Sequence, residues 1–409
     1  MSPSILLELS SGSGPSDGVI SKLKPVVQEH ELQTVDPDLK STLGLYRNPS
    51  LQVTPDHQLK LVEAPVYQPG PGEVLLHIKA TGVCGSDIHF WKSGRIGPLE
   101  FKGDCIIGHE AAGVVLQCGN GVPDFKPGDR VALEPGVSCG NCFLCREGRY
   151  NLCENVQFAG VWPYHGTIQR FKVHPAKWLH KLPDTVSFAE GALLEPLSVV
   201  MHGINTAGLS LGRGVLICGA GPIGLIALAA ARASGAHPIV ITDLEPRRLA
   251  FAKDFLPCCK TYQINTSIDA AGNAKAIRSL FRDDEYFAPS SVLECTGVES
   301  SVCTAAYAVR RGGTITVIGV GKSLMNNLPF MHISLAEIKL KFINRYRDTW
   351  PPGISCLDGK VLDLKKLITH TFSLENAADA LHLCSDTSKG SIKVQIVDDT
   401  DIDIEALQM

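Results

Sequence analysis

Spare positive charge is what this 409-residue sequence lacks first: 38 lysines and arginines stand against 42 acidic residues, a formal net charge of −4. Without a basic excess there is no long-range pull toward a phosphate backbone, so no nucleic-acid partner is expected. Long apolar runs are lacking too. The most apolar window, VLICGAGPIGLIALAAA at residues 215–231, holds three glycines and a proline and is closed by Arg232. It falls short of the ~20 apolar residues of a membrane span and reads as a buried strand, a turn and a helix, so no membrane partner is expected. The first residues show neither the charged-then-apolar order of a secretory leader nor the early arginines of a mitochondrial one, and the expected location is cytoplasmic. No internal repeat is visible.

What is present is ordinary for a globular protein: 44% hydrophobic and 20% charged residues. The length asks for two domains. Residues 1–42, rich in Ser, Gly and Pro near the start, are expected to be a poorly ordered extension. Short alternating strands cut by Gly/Pro turns, such as EVLLHIKATGVCG, EAAGVVLQCG and KPGDRVALEPG, predict a β-rich domain over residues 43–205. Residues 206–345 change to wholly apolar strands separated by helical stretches: GVLICGAG, PIVITD, SVLECTG and TITVIGVG. That texture implies βαβ units and a doubly wound parallel sheet, so the fold class is α/β. Residues 346–409 are expected to return to the first domain, with HTFSLENAADALHLC as a capped amphipathic helix and SIKVQIV as a strand.

Fourteen cysteines in a reducing compartment are expected to be free thiols or metal ligands. Cys139, Cys142, Cys145 and Cys153, in SCGNCFLCREGRYNLCENV, have the spacing Cys-x2-Cys-x2-Cys-x7-Cys on a glycine-containing loop. Four thiolates form the closed tetrahedral shell of a structural zinc. An iron–sulfur cluster would want a shorter last gap followed by proline, and here Glu154 follows; unliganded core thiols are the other alternative.

A second set lies upstream, where GVCGSDIHFW offers Cys84, Ser86 and His89 and IIGHEAAG offers His109 beside Glu110. One thiolate, one imidazole and one carboxylate suit a catalytic zinc that keeps a position open. Neighbours on a regular strand face opposite ways, so His109 and Glu110 can share a metal only if the backbone bends; otherwise these are a core thiol and a hydrogen-bonded histidine. LLEPLSV adds Glu195 in an apolar setting.

Residues 215–243 carry Gly219, Gly221 and Gly224 in G-x-G-x-x-G spacing, with Pro222 and Ile223 inside it, then a helix and a second strand ending at Asp243. Such glycines let a pyrophosphate approach a helix N-terminus while the acid accepts a ribose 2′-hydroxyl. The acid favours NAD over NADP, with Arg247 and Arg248 as the residues that could admit a 2′-phosphate.

The order of these motifs, from about residue 45 to 397, resembles the zinc-dependent medium-chain dehydrogenases. CGSDIHFW, GRIGP, GHEAAG, PGDRVALEPG, GRYNLCENVQF, GALLEPLSV, GAGPIG, ECTGVESSV and RYRDTWP are similar to segments of their polyol dehydrogenase branch. The resemblance implies a GroES-like catalytic domain beside the Rossmann sheet, two zinc ions per chain, and Cys84, His109 and Glu110 on the catalytic one, with Glu195 next to it. It places Ile223, Asp243, Arg248, Ile318, Gly319, Val320 and Arg345 along NAD, and Phe90, Arg345 and Tyr346 near a polyol. Ser86 and His89 would be relay members, and the assembly a homotetramer. ENVQF, PIVITD, VIGVGK and GSIKVQI are similar to the arabinitol-oxidising fungal members, implying oxidation of L-arabinitol to L-xylulose, with xylitol or sorbitol as alternatives. A non-enzymatic zinc scaffold that binds a dinucleotide is the reading from another class. Arg347 and Asp348, where the branch commonly has Cys-Asn, and His165, where it has Asp, depart from the pattern beside the expected substrate region.

Overall fold

The computed structural model describes residues 46–282 and 284–404; the extension expected over residues 1–42 lies outside them. Two large sheets organise the chain. Glu73–Gly82 is the spine of the first, antiparallel to Glu110–Cys118 on one side. On its other side it pairs with Phe171–Pro175 at one end and Lys393–Val397 at the other. Arg130–Leu133 and Leu179–Lys181 extend one edge, and Ile368–Ser373, parallel to Lys393–Val397, forms the other. Val74, Leu76 and Ile78 pack with Val115 and Leu133, while Leu75 packs on the opposite face with Leu116 and Phe171. Both faces of the spine are therefore covered, and all of it but Glu73 and Lys79 is buried, His77 and Thr81 included.

The second sheet has six parallel strands in the order Lys260–Gln263, Ile239–Asp243, Val215–Cys218, Ser291–Glu294, Thr314–Val317 and Lys339–Phe342. This is the doubly wound order whose reversal leaves a crevice at the strands' carboxyl ends, beside Val215–Cys218 and Ser291–Glu294. The four strands read from their apolar runs are the interior ones. The two edge strands, KTYQ and KLKF, are half exposed and carry lysines, so they give no apolar signal.

One core joins the two sheets. Leu193, Leu194, Leu197 and Val200 pack with Ala112 and Ala132 from the first sheet, with Val215 and Ile217 from the second and with Ile226 from the helix that follows them. Part of the expected C-terminal helix is a strand: His370–Ser373 belongs to Ile368–Ser373, and the helix runs only over Ala377–Ser385. Tertiary pairing decides here, because parallel bonding to Lys393–Val397 satisfies the backbone of a stretch whose Thr and Phe suit a strand.

A buried ion-pair cluster fastens the returning chain to the first sheet. Asp398 accepts from Arg170 Nε at 2.6 Å and from His77 Nε2 at 3.0 Å, and Arg170 also donates to the Arg47 carbonyl and to Glu375. Burial pushes the Asp398 carboxyl up, but the bonds from His77, Arg170 and Thr400 outweigh it and hold it well below the usual carboxylate range. The linked stability is present above the ordinary aspartate pKa and is lost as pH falls below it. Replacing Arg170 by Ala leaves a buried carboxylate without its main partner and is expected to cost about 3 kcal/mol, read as a lower midpoint in urea unfolding near neutral pH. The Asp398→Asn variant is expected to lose less stability than wild type between pH 5 and pH 3.

Candidate metal centre and nucleotide crevice

Cys84 lies where Glu73–Gly82 gives way to the helix Gly85–Ser93, as that helix's N-cap. Asp87, fully buried in the first turn, accepts from the Cys84 N–H at 2.9 Å with one oxygen and from the Gly108 N–H at 3.1 Å with the other. The same Asp87 carboxylate stands 3.5 Å from His109 Nδ1, which leaves Nε2 to face the thiol. This is how a carboxylate fixes the tautomer of a metal-binding imidazole. Burial works against a charged His109, yet Asp87 and Cys84 raise its pKa well above the ordinary value. A metal would have to displace that proton on binding.

The bend that the sequence required is at Gly108, with φ of 93°, a left-handed conformation. His109 falls in the turn and Glu110 opens the next strand, so both side chains point to Cys84. Gly82 makes room: a Cβ there would stand 2.0 Å from Glu110 Oε2. The ligand atoms of Cys84, His109 and Glu110 lie within 4.8 Å of one another, a donor set that fits zinc with a position left open. Lys393 Nζ, equally buried, bonds both Glu110 oxygens at 2.8 and 2.7 Å.

Glu195, buried in the first turn of the helix Leu194–Ala207, faces this set. Burial pushes its pKa up to about 7; Glu110 adds to the rise, while His109, Lys393 and Tyr346 oppose it. The buried Tyr346 hydroxyl is turned to Glu195 and has no well-aligned hydrogen bond among the described residues. Arg345, at φ of 54°, lays its guanidinium 3.7 Å from the Phe158 ring centre. Ser86 Oγ is 3.3 Å from His109 Nε2. His89 is exposed and stands apart from the thiol and carboxylates, in a cleft of about 880 Å³ shared with Thr296, Val298 and Val320. Phe90 is buried and stacks on Phe101, in a separate core cluster that also holds Leu51, Ile107 and Ile396. Asp87 and Lys393 were not singled out from sequence. Asp87 had a signal, an acid three residues after Cys84 at a helix start, whereas Lys393 joins only through tertiary pairing.

The glycine turn follows Val215–Cys218. Gly219 has φ of 97°, Gly221 is the N-cap and Pro222 the first residue of the helix Pro222–Ala233. A Cβ on Gly224 would come 1.8 Å from the Gly219 carbonyl oxygen, so no other residue fits there. Asp243 accepts from the Ala220 N–H at 2.7 Å and the Glu245 N–H at 2.9 Å, tying the second strand end to the turn. With Gly219, Arg248 and Thr296 it lines a pocket of about 460 Å³. Ile223 is half-buried at the helix start, and Ile318, Gly319 and Val320 follow Thr314–Val317 on the other side of the crevice.

The second thiol set closes on itself. The Sγ atoms of Cys139, Cys142, Cys145 and Cys153 lie within 4.8 Å of one another. Backbone N–H groups of Cys139, Cys142 and Cys145 point at sulfurs of the same set at 3.3–3.5 Å. The N–H groups of Asn141 and Cys142 hold the Cys139 thiol down to about 6, while burial pushes Cys153 up to about 12. Four convergent sulfurs cradled by amides fit a structural zinc.

Comparison with known proteins agrees with this geometry. Residues 70–184 match the alcohol dehydrogenase GroES-like domain and residues 222–359 the zinc-binding dehydrogenase family. The chain is 49% identical to an L-arabinitol 4-dehydrogenase of Aspergillus niger, over 82% of this chain and 88% of that protein. It is 42% identical to a sorbitol dehydrogenase of Bos taurus, over 86% and 95%. Among solved structures, 2R,3R-butanediol dehydrogenase of Bacillus subtilis superposes with a TM-score of 0.76 at 25% identity, covering 86% of this chain and all of that one. Two family matches in chain order, and identity near one half sustained across most of both sequences, make the protein a member of the zinc-dependent medium-chain dehydrogenases, in their polyol branch.

Proposed function

We propose that the protein oxidises a secondary hydroxyl of a sugar alcohol, L-arabinitol to L-xylulose, with NAD as the acceptor. The observation that carries this reading is the Cys84–His109–Glu110 set, in which Cys84 is half-buried and the other two are buried, facing a second buried carboxylate, Glu195, whose pKa is raised to about 7. The names of the fungal relatives support the choice of polyol; xylitol and sorbitol are the alternatives.

When bound, zinc on Cys84, His109 and Glu110 supplies Lewis acidity toward the alcohol oxygen, and NAD in the crevice supplies a hydride acceptor. The rest falls to the chain's own groups. Glu195 takes the hydroxyl proton onto a carboxylate oxygen, and its position among buried apolar residues keeps water from competing. Tyr346 steadies the Glu195 charge, and Arg345 beside it donates to polyol hydroxyls. Ser86 Oγ relays protons next to His109, and His89 extends that path at the rim of the cleft. Phe90 shapes the pocket from behind by packing alone.

On the nucleotide side, Gly219, Gly221, Pro222, Ile223 and Gly224 receive the pyrophosphate at the helix N-terminus. Asp243 accepts the ribose hydroxyl and disfavours a 2′-phosphate, with Arg248 packing beside it. Ile318, Gly319 and Val320 line the nicotinamide side. The catalytic part comprises residues 43–205 and 346–409 and the nucleotide part residues 206–345. A second zinc on the four-cysteine lobe brings the count to two per chain.

A homotetramer is the proposed assembly, supported by exposed Phe330, Met331, Leu335 and Phe342 around the edge strand Lys339–Phe342, whose outer side has no partner among the described residues. A cytoplasmic location is supported by fourteen cysteines of which none forms a disulfide. Among the described residues no helix is long and apolar enough to cross a membrane.

The test is initial-rate NADH formation with L-arabinitol, xylitol and sorbitol in parallel, with NAD or NADP, and after chelation. Highest kcat/KM with L-arabinitol and NAD, lost on chelation, is expected; preference for either other polyol overturns the substrate. The Glu195→Gln variant is expected to keep its fold and metal content and lose about 100-fold in kcat.

A further inference from the structure

Between the strand Lys339–Phe342 and the helix Trp350–Asp358 the chain passes through Asn344, Arg345, Tyr346, Arg347 and Asp348, and two of these non-glycine residues are left-handed: Arg345 at φ of 54° and Asp348 at φ of 52°. Such a backbone persists only where its surroundings over-determine it. Here the surroundings are the four-cysteine lobe, nearly 200 residues away in sequence. Asn151 Nδ2 donates to the Asn344 carbonyl at 2.9 Å, and Asn344 Nδ2 returns a bond to the Asn151 carbonyl at 3.4 Å. The Tyr150 hydroxyl accepts from the Asp348 N–H at 2.8 Å while donating to buried Glu134 at 3.0 Å. Glu134 is itself fixed by His180 Nε2 at 2.8 Å. Arg347 Nη1 donates to the Gly148 carbonyl at 3.3 Å. Both strained residues and the Asn344 carbonyl before them are thus bracketed by the lobe. Only about 10 Å³ of space is left where Tyr150, Asn151 and Phe158 meet Arg345 and Tyr346.

We propose that Tyr150 and Asn151 are positioning residues for polyol binding: through them the four-cysteine lobe moulds the segment 344–348 so that Arg345 and Tyr346 face Glu195. The lobe then sets substrate affinity as well as stability. This rests on the reading of the Glu195 cleft as the polyol site. It also gives the departure at Arg347 a place, since its guanidinium meets the lobe; Asp348 meets the lobe through its backbone N–H, a bond that does not depend on its side chain.

The experiment uses full-length, zinc-loaded enzyme as wild type, Tyr150→Phe and Asn151→Ala. Tyr150→Phe keeps the ring on Trp178, 5.2 Å between centres, and removes only the hydroxyl. Hydrogen exchange of the segment 344–348, KM for polyol, KM for NAD, kcat and zinc per chain are measured on each. The expected result is about tenfold faster exchange in that segment and about tenfold higher KM for polyol, the worth of one hydrogen bond, with a much smaller change in kcat and an unchanged KM for NAD. Unchanged polyol KM in both variants overturns the proposal whether or not exchange speeds up. So does a loss shared equally by NAD and polyol with zinc released, which would make the lobe a stabiliser only. Wild-type enzyme that oxidises no polyol sinks the reading of the cleft and the proposal with it; an active wild type with unaltered variants sinks the clamp alone.

Discussion

Two buried carboxylates, a buried imidazole and a half-buried thiol share one pocket, and negative groups so close in low dielectric need positive charge to meet them. Glu110 has Lys393 on both its oxygens, and His109 has Asp87 behind it. Among the described residues Glu195 has no such ion-pair partner, and it answers the same burial by a pKa raised to about 7. A divalent cation bound by Cys84, His109 and Glu110 would complete the compensation, and the reactivity of the site follows from that need. The fold serves it by bringing the start of a helix, a left-handed turn, a C-terminal strand and the helix that begins near Leu194 to one point.

How much of this could be read in advance depends on how local each feature is. The glycine turn was legible because strand, three glycines, helix and Asp243 follow one another within one βαβ unit, and each glycine answers a close approach such as that of Gly224 to the Gly219 carbonyl. The four-cysteine spacing was legible for the same reason. His109 beside Glu110 looked contradictory for a strand, and Gly108, visible in the sequence, resolves it through a conformation that the sequence alone does not fix. Lys393 was not legible, since its partner lies 283 residues away and nothing around it in SIKVQIV marks a buried cation. Nor was the strand at His370–Ser373, which exists because a neighbour bonds to it. Phe90 was placed near a substrate by resemblance, and the structure shows its ring against Phe101.

The contrast between the two thiol sets is chemical as well as geometric. At Cys139, Cys142, Cys145 and Cys153 all four donors are sulfur, so a bound ion is enclosed. At Cys84 three unlike donors leave a position open beside a carboxylate that can carry a proton. The first arrangement suits holding a lobe against its neighbours; the second suits polarising an oxygen beside a nucleotide crevice.

Whether the open set is the seat of the reaction is tested most directly by the Cys84→Ala variant, assayed for zinc per chain and polyol-dependent NADH formation in a preparation whose unfolding midpoint matches wild type. The account predicts one zinc instead of two and turnover reduced at least about 1,000-fold, as expected when the ion that polarises the alcohol is gone. Turnover within a few-fold of wild type at one zinc per chain would contradict it.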